Sequence, residues 1–188
     1  MEQGTRATRT GIGLIVGAVL GFATNLGVGA QGSSAPLVTL PDGSKSQEGA
    51  KNQDGKWVLP DGTPTYHIKA DKTVDWYSYS GFRRYHDAGG CMQCHGPDGE
   101  GSTYGTPLSK SLKAMPYNDF VEVVIGGRVN EGSVMPPFDG NRNVMCYVDD
   151  IYIYLKARSE GVLPRGRPPG RDEKPQAAKD NETACFGR

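Results

Sequence analysis

An excess of charge of either sign is missing from this chain: 21 Lys and Arg stand against 21 Asp and Glu, with three His. Such a balance argues against nucleic-acid binding and against steering by net charge alone, although local patches stay open. No apolar run reaches the roughly 20 residues that span a bilayer. Cysteine is scarce, at 4 residues. A single Cys-x-x-Cys pair is present, with no second pair at zinc-site spacing. No βαβ pattern flanks it, so the context of a thioredoxin-like redox motif is absent. Gly96 to Gly101 has no preceding strand and no following Lys-Ser/Thr, which makes it a tight turn rather than a phosphate loop. Glycine is plentiful instead, at 27 residues beside 13 Pro, and part of the chain is expected to be irregular loop.

The lone pair lies in Cys91-Met92-Gln93-Cys94-His95, the C-x-x-C-H pattern of covalent c-type haem attachment. Chemistry sets the spacing. Two thiols add to the two haem vinyl groups, and the next residue, left under the iron, must offer an imidazole nitrogen. A bare C-x-x-C also suits half of a zinc site, a redox pair or a disulfide. Zinc would need two more ligands at comparable spacing, however, and Cys146 and Cys185 stand apart. One motif implies one haem, and the lack of a second argues against a dihaem peroxidase.

The N-terminus supplies context. Arg6 and Arg9 precede the apolar run Ile12 to Ala23, and Val28-Gly29-Ala30 offers small residues for cleavage. Residues 1–30 therefore read as a signal peptide, with a retained anchor as the alternative. Its removal leaves 19 of the 21 basic and 20 of the 21 acidic side chains, a net charge of −1. Export suits both haem c attachment and disulfides.

Four stretches follow from composition: the leader at 1–30, an N-terminal extension at 31–73, a haem domain at 74–161 and a tail at 162–188. Two Pro-Asp-Gly turns, at Pro41 and Pro60, lie in the extension. Lys56 to Leu59 and Thr65 to Lys69 around the second read as a β-hairpin, while the first sits in a stretch expected to be mobile. Three helices are expected in the haem domain. The first covers about Asp75 to Asp87, with Trp76, Tyr79, Phe82 and Tyr85 on one face. The second is capped by Asn118 or Asp119, carries Phe120, Val123 and Val124, and ends at Gly126-Gly127. The third runs from about Asn143 to Gly161. Asp149 and Asp150 are expected on a solvated face, and the tail, with Arg165, Arg167 and Arg171, as a charged segment without regular structure.

A sixth iron ligand is sought among Met92, Met115, Met135, Met145, His67 and His86. Met92 lies inside the attachment loop on the proximal side. Met135 is expected, because Pro136 stiffens its Gly- and Pro-rich loop and has no N–H to compete for partners. Met115, Met145 and the two histidines stay open as alternatives.

Residues 74–160 resemble a class I c-type cytochrome. The resemblance rests on Gly81 to Tyr85 before the attachment motif, His95 to Gly101 after it, Gly127-Arg128, Met135 to Phe138, and Tyr154 to Lys156. It implies a mainly α fold: the class I cytochrome c fold, three main helices around one covalently bound haem c, here with a small N-terminal β-hairpin extension and an irregular C-terminal tail. It also implies that the Pro97 carbonyl accepts from His95 Nδ1. One departure is that Tyr85 and Cys91 lie two residues further apart than is usual. Lys56 to Trp76, Arg84-Tyr85-His86, Gly101 to Tyr104, Asn143 to Tyr147 and Arg165 to Pro168 look like the four-cysteine c-type cytochromes associated with methanol metabolism. Those are similar to soluble acceptors of PQQ-dependent alcohol dehydrogenases. Cys146 and Cys185 are then expected to pair in an exported protein, with free thiols or intermolecular pairing as alternatives.

With His95 and Met135 as axial ligands, no iron position is open to substrate, and the thioether favours Fe(II). The expected protein is a periplasmic electron carrier and not an enzyme. It would take single electrons from a periplasmic quinoprotein alcohol dehydrogenase and pass them to a downstream cytochrome or oxidase, through a small transient face. Two alternatives persist: a haem-based gas or ligand sensor, which needs a labile sixth ligand, and a subunit of a membrane-bound complex if the N-terminal segment is retained.

Overall fold

A computed structural model describes residues 35–187 apart from Gly89 and Glu131, together with Met1 and Gly4. The apolar run and cleavage site of the expected leader lie outside the described residues.

The extension is built on tight turns. Strands β1 (Leu37–Thr39) and β2 (Lys45–Gln47) pair antiparallel across the first Pro-Asp-Gly. There Gly43 donates to the Leu40 carbonyl at 2.9 Å and Asp42 accepts from the Ser44 amide at 2.9 Å. The segment expected to be mobile is thus an ordered hairpin, because each turn group finds a local partner. Strands β3 (Lys51–Gln53), β4 (Lys56–Val58) and β5 (Pro64–Thr65) form a three-stranded sheet, with the second Pro-Asp-Gly joining β4 to β5. After Tyr66 the chain changes sheets: β6 (His67–Ile68) pairs with β2, and β7 (Thr73–Val74) pairs with β6.

Helix α1 (Trp76–Arg83) starts at Asp75, whose carboxylate accepts from the Ser78 amide and hydroxyl and from the His67 amide, each at 2.6–2.8 Å. This cap ties the helix to β6. Burial still pushes the Asp75 carboxyl up to about 6, against the pull of those bonds. A π-helix (Arg84–Ala88) continues α1 and leads to α2 (Cys91–His95). The wider π-helical turn takes up chain length between Tyr85 and Cys91, where the sequence is two residues longer than is usual.

Short α3 (Leu108–Ser111) and then α4 (Tyr117–Gly126) follow. Neither Asn118 nor Asp119 caps α4. The helix begins two or three residues earlier, at Tyr117, with Pro116 at the cap position, and the Pro116 carbonyl accepts from the Phe120 amide at 3.0 Å. Strands β8 (Arg128–Asn130) and β9 (Ser133–Met135) make a separate hairpin. The expected third helix is two: α5 (Arg142–Met145), capped by Asn141, and α6 (Val148–Ser159). The break at Cys146 and Tyr147 presents the first to Cys185 and the second to Arg84.

Helices α1 and α6 cross so closely that a Cβ on Gly81 would fall 1.8 Å from the Asp150 carbonyl oxygen. Only glycine permits this approach. Because α3, α4 and the extension strand β5 pack on α6 as well as α1, residues Asp150 to Ala157 are all buried. Asp150 is therefore not on a solvated face. Burial raises its carboxyl to about 7, while the Ser80 hydrogen bond and Lys56 pull the other way. Asp149 is half-buried and takes Lys56 and the Tyr117 hydroxyl. Lys156 is buried too, donating to the Leu112 carbonyl at 2.9 Å and to Glu160 at 3.1 Å.

The tail is structured, which corrects the expectation of an irregular segment. Strand β10 (Gly170–Arg171) adds parallel to β7, and α7 (Gln176–Phe186) follows. Its lack of an apolar stripe hid the helix. Pro175 at its start, Gly187 at its end, the Lys174–Glu182 pair and the Cys146–Cys185 disulfide hold it instead. The bridged Cα atoms lie 5.9 Å apart, as a disulfide requires.

Candidate haem-binding site

The attachment motif is displayed on one short helix. Cys91 is half-buried, Cys94 is exposed, and neither joins a disulfide. Burial pushes the Cys91 thiol up to about 11. Among the described residues no cluster of three or more His, Cys, Asp and Glu could hold a metal ion. A zinc site completed by other cysteines therefore has no counterpart there.

Three contacts set the loop that follows. The buried Tyr85 hydroxyl donates to the Gly96 carbonyl at 2.5 Å, so the first helix positions the residue next to His95. Ser102 Oγ donates to the Cys94 carbonyl, folding segment 102–106 back over the motif. This brings the Thr106 carbonyl to His95 Nδ1 at 2.8 Å. Pro97, expected in that role, is exposed; the fold-back places Thr106 on the ring instead. The consequence for the imidazole is the same, since a carbonyl at Nδ1 sets the tautomer and leaves Nε2 for a metal.

A second set of contacts clamps the loop from the tail. The buried Asp98 carboxylate accepts from Arg165 Nε at 3.2 Å and from the Gly166 amide at 2.8 Å, and Glu100 also pairs with Arg165. Arg158 donates to the Leu163 carbonyl at 2.6 Å and reaches the Asp98 carbonyl at 3.4 Å. Charge in Asp98, Glu100 and Arg165 was legible in the sequence; their meeting was not, because 65 or more positions separate them.

Met135 ends β9 opposite Arg128 and is half-buried against the core. Gly127 lies directly against it: a Cβ there would fall 2.5 Å from the Met135 carbonyl oxygen. The Phe138 amide donates to the Val124 carbonyl at 3.0 Å, anchoring the far side of the loop to α4. Met92, Met115 and Met145 also pack, half-buried, on the core. Local contacts hold the two histidine alternatives in the extension and the π-helix. His67 is buried in β6, stacked on Trp57 at 4.2 Å with Nε2 on Ser44 at 2.9 Å, and burial lowers its pKa. His86 bonds the Phe82 carbonyl at 2.8 Å through Nδ1 and packs between Phe82 and Tyr85.

No protein-family model matches the chain. Cytochrome c-553I of Paracoccus denitrificans is 47% identical over 138 residues, which is 71% of this chain and 60% of that protein. The chain thus spans less than two thirds of that relative. Cytochrome c-555 of Methylococcus capsulatus is 43% identical over 103 residues, 55% of this chain and 76% of that one. The crystal structure of the c-type cytochrome XoxG from Methylobacterium extorquens AM1 superposes with a TM-score of 0.69 at 49% identity, covering 73% of this chain and 85% of that one.

The chain is a c-type cytochrome.

A c-type cytochrome carries covalently bound haem c and transfers electrons, and the residues present fit that group. Two cysteines outside any disulfide run into an imidazole whose Nδ1 is tied to a carbonyl. Leu108, Met115, Val121, Met135 and Phe138 pack on the core but stay half-buried, apolar area of the kind a flat apolar ligand would cover. Held there by Cys91, Cys94 and His95, haem would supply one-electron exchange between ferric and ferrous iron. The cytochrome's own residues orient the imidazole through Thr106, fix the loop through Tyr85 and Arg165, and hold the Met135 loop on Gly127.

Proposed function

We propose that this cytochrome is a periplasmic monohaem carrier in which Cys91 and Cys94 form the thioethers and His95 and Met135 are the axial ligands. Single electrons arrive from a PQQ-dependent methanol or alcohol dehydrogenase and leave toward a downstream cytochrome or oxidase. The observation that carries the reading is the pair of cysteines, outside any disulfide, running into a histidine whose Nδ1 is already tied to the Thr106 carbonyl. Two occupied axial positions suit outer-sphere transfer rather than chemistry on a substrate. Likeness to the XoxG cytochrome agrees with the motifs shared with methanol-associated cytochromes, and supports a quinoprotein donor. The leader pattern and the Cys146–Cys185 bridge favour an oxidising compartment. Among the described residues no helix is long and apolar enough to cross a membrane.

The test mixes oxidised protein with purified quinoprotein alcohol dehydrogenases and their substrates and follows haem reduction optically. Rapid reduction is expected; if none of them reduces the haem, the methanol-pathway donor is wrong. Met135→Ala tests the ligand separately. The oxidised variant should lose the weak far-red sulfur–iron band, and the reduced variant should bind CO where the parent does not. A parent that binds CO readily would point to the sensor reading instead.

A further inference from the structure

Helix α1, the π-helix and the tail line a recess of about 440 Å³. Trp76, Tyr79, Ser80, Arg83, Arg84 and Asp87 come from α1 and the π-helix, and Arg167 and Arg171 from the tail. Four arginines and one carboxylate line it, and that carboxylate is already used: Asp87 accepts from Arg83 Nε at 2.7 Å.

Aromatic faces, rather than acids, hold the other arginines in place. Arg171 lies 4.7 Å from the Trp76 ring centre and 5.1 Å from that of Tyr79. Arg167 lies 5.7 Å from the Tyr79 ring and donates to its hydroxyl at 2.6 Å. Arg84 sits 3.6 Å over Tyr147, with Glu182 nearby on the side away from the recess. Arg84 Nε is buried and has no hydrogen-bond partner. Among the described residues Arg167 and Arg171 enter no ion pair; Arg171 Nη1 reaches only the Asp172 carbonyl, at 3.3 Å. Stacking engages the flat face of a guanidinium and leaves its N–H edge free, and that planar fork matches an oxyanion. Converging like charges are costly unless an anion joins them.

We propose that this recess binds a small polyvalent oxyanion, a di- or tricarboxylate or a phosphate. The arginine forks grip its oxygens, held in place by the Trp76 and Tyr79 rings on which Arg171 and Arg167 stack. A recess bounded on two sides suits a small anion better than the flat, wet face of a transient protein contact. The site is independent of which dehydrogenase donates electrons.

The test titrates the reduced holoprotein with inorganic phosphate and with citrate at ionic strength held constant by sodium chloride, following backbone amides by NMR. Saturable shifts are expected at Trp76, Ser80, Arg84 and Arg171, and binding should weaken about tenfold or more in Arg167→Gln and Arg171→Gln. Arg171→Lys, which keeps the charge, should recover part of the affinity. An unchanged haem spectrum and melting temperature show that the variants are folded. Shifts that never saturate, or that chloride reproduces, would overturn the proposal. Saturable binding that both glutamine variants retain would overturn it too, by placing the anion elsewhere. So would competition by an acidic dehydrogenase for this face when neither phosphate nor citrate saturates it, since the surface would then be a protein dock.

Discussion

Asp150 is a carboxylate that the packing sets against its own charge. It lies where α1 and α6 cross, and its folded value of about 7 stands well above the ordinary 3.8. Asp75, at about 6, has the same sign. The native state therefore binds these protons more tightly than the unfolded chain. Their stabilising effect is full below about pH 4 and is lost as pH rises through 6 to 7. Asp150→Asn removes that loss while keeping a group for Ser80. Its advantage over the parent should be on the order of 1 kcal/mol or more at pH 8 and should shrink toward pH 4.5. Urea unfolding of both proteins at the two pH values decides it, and an advantage that grows toward low pH would refute the assignment. Lys156 shows the complementary case: a buried ammonium tolerated because the Leu112 carbonyl and Glu160 both accept from it.

Elements here depend on ties that composition does not advertise. Helix α7 has one buried residue, Ala178, too little burial to hold a helix of its length on the domain. The Cys146–Cys185 bridge closes a loop of 39 positions, which corresponds to roughly 3 to 4 kcal/mol of chain entropy. Cys146→Ser with Cys185→Ser should lower the stability of the folded protein by about that amount. It should also raise hydrogen exchange across 176–186, and leave the haem spectrum unchanged. Thermal denaturation with exchange mass spectrometry reads both effects; a helix equally protected without the bridge would show that packing alone suffices. The π-helix makes a related point. The longer spacing before Cys91 is visible in the sequence, yet the π-turn that absorbs it keeps Tyr85 on the core, where its hydroxyl reaches Gly96.

At the scale of the whole molecule, two parts of the core differ in what completes them. Tyr66, Ile68, Val74 and Ile153 to Leu155 are buried by protein alone. Leu108, Met115, Val121, Met135 and Phe138 are only half-buried by protein, and haem is expected to cover them. Blocking attachment with Cys91→Ser and Cys94→Ser should leave amide protection at 66–74 and 151–157 and abolish it at 91–138. Hydrogen exchange on the haem-free chain tests this; uniform loss of protection would mean that the two parts fold as one unit.

Haem attachment was legible because its chemistry is local: two thiols, an imidazole and a fixed spacing occupy five consecutive residues. Gly81, Tyr85 and the Met135–Phe138 loop stood out for a similar reason, each belonging to a short pattern that carries the resemblance to class I cytochromes. The Thr106 carbonyl, the Asp98–Arg165 clamp, the buried Asp150 and Lys156, and the arginine-lined recess were not. Each joins groups on separate segments, so its geometry exists only once the extension and the tail have closed over α1 and α6. Sequence alone determined that this chain holds a haem; the tertiary structure decided what orients its histidine and which charges are buried, because hydrogen bonding and desolvation depend on neighbours in space.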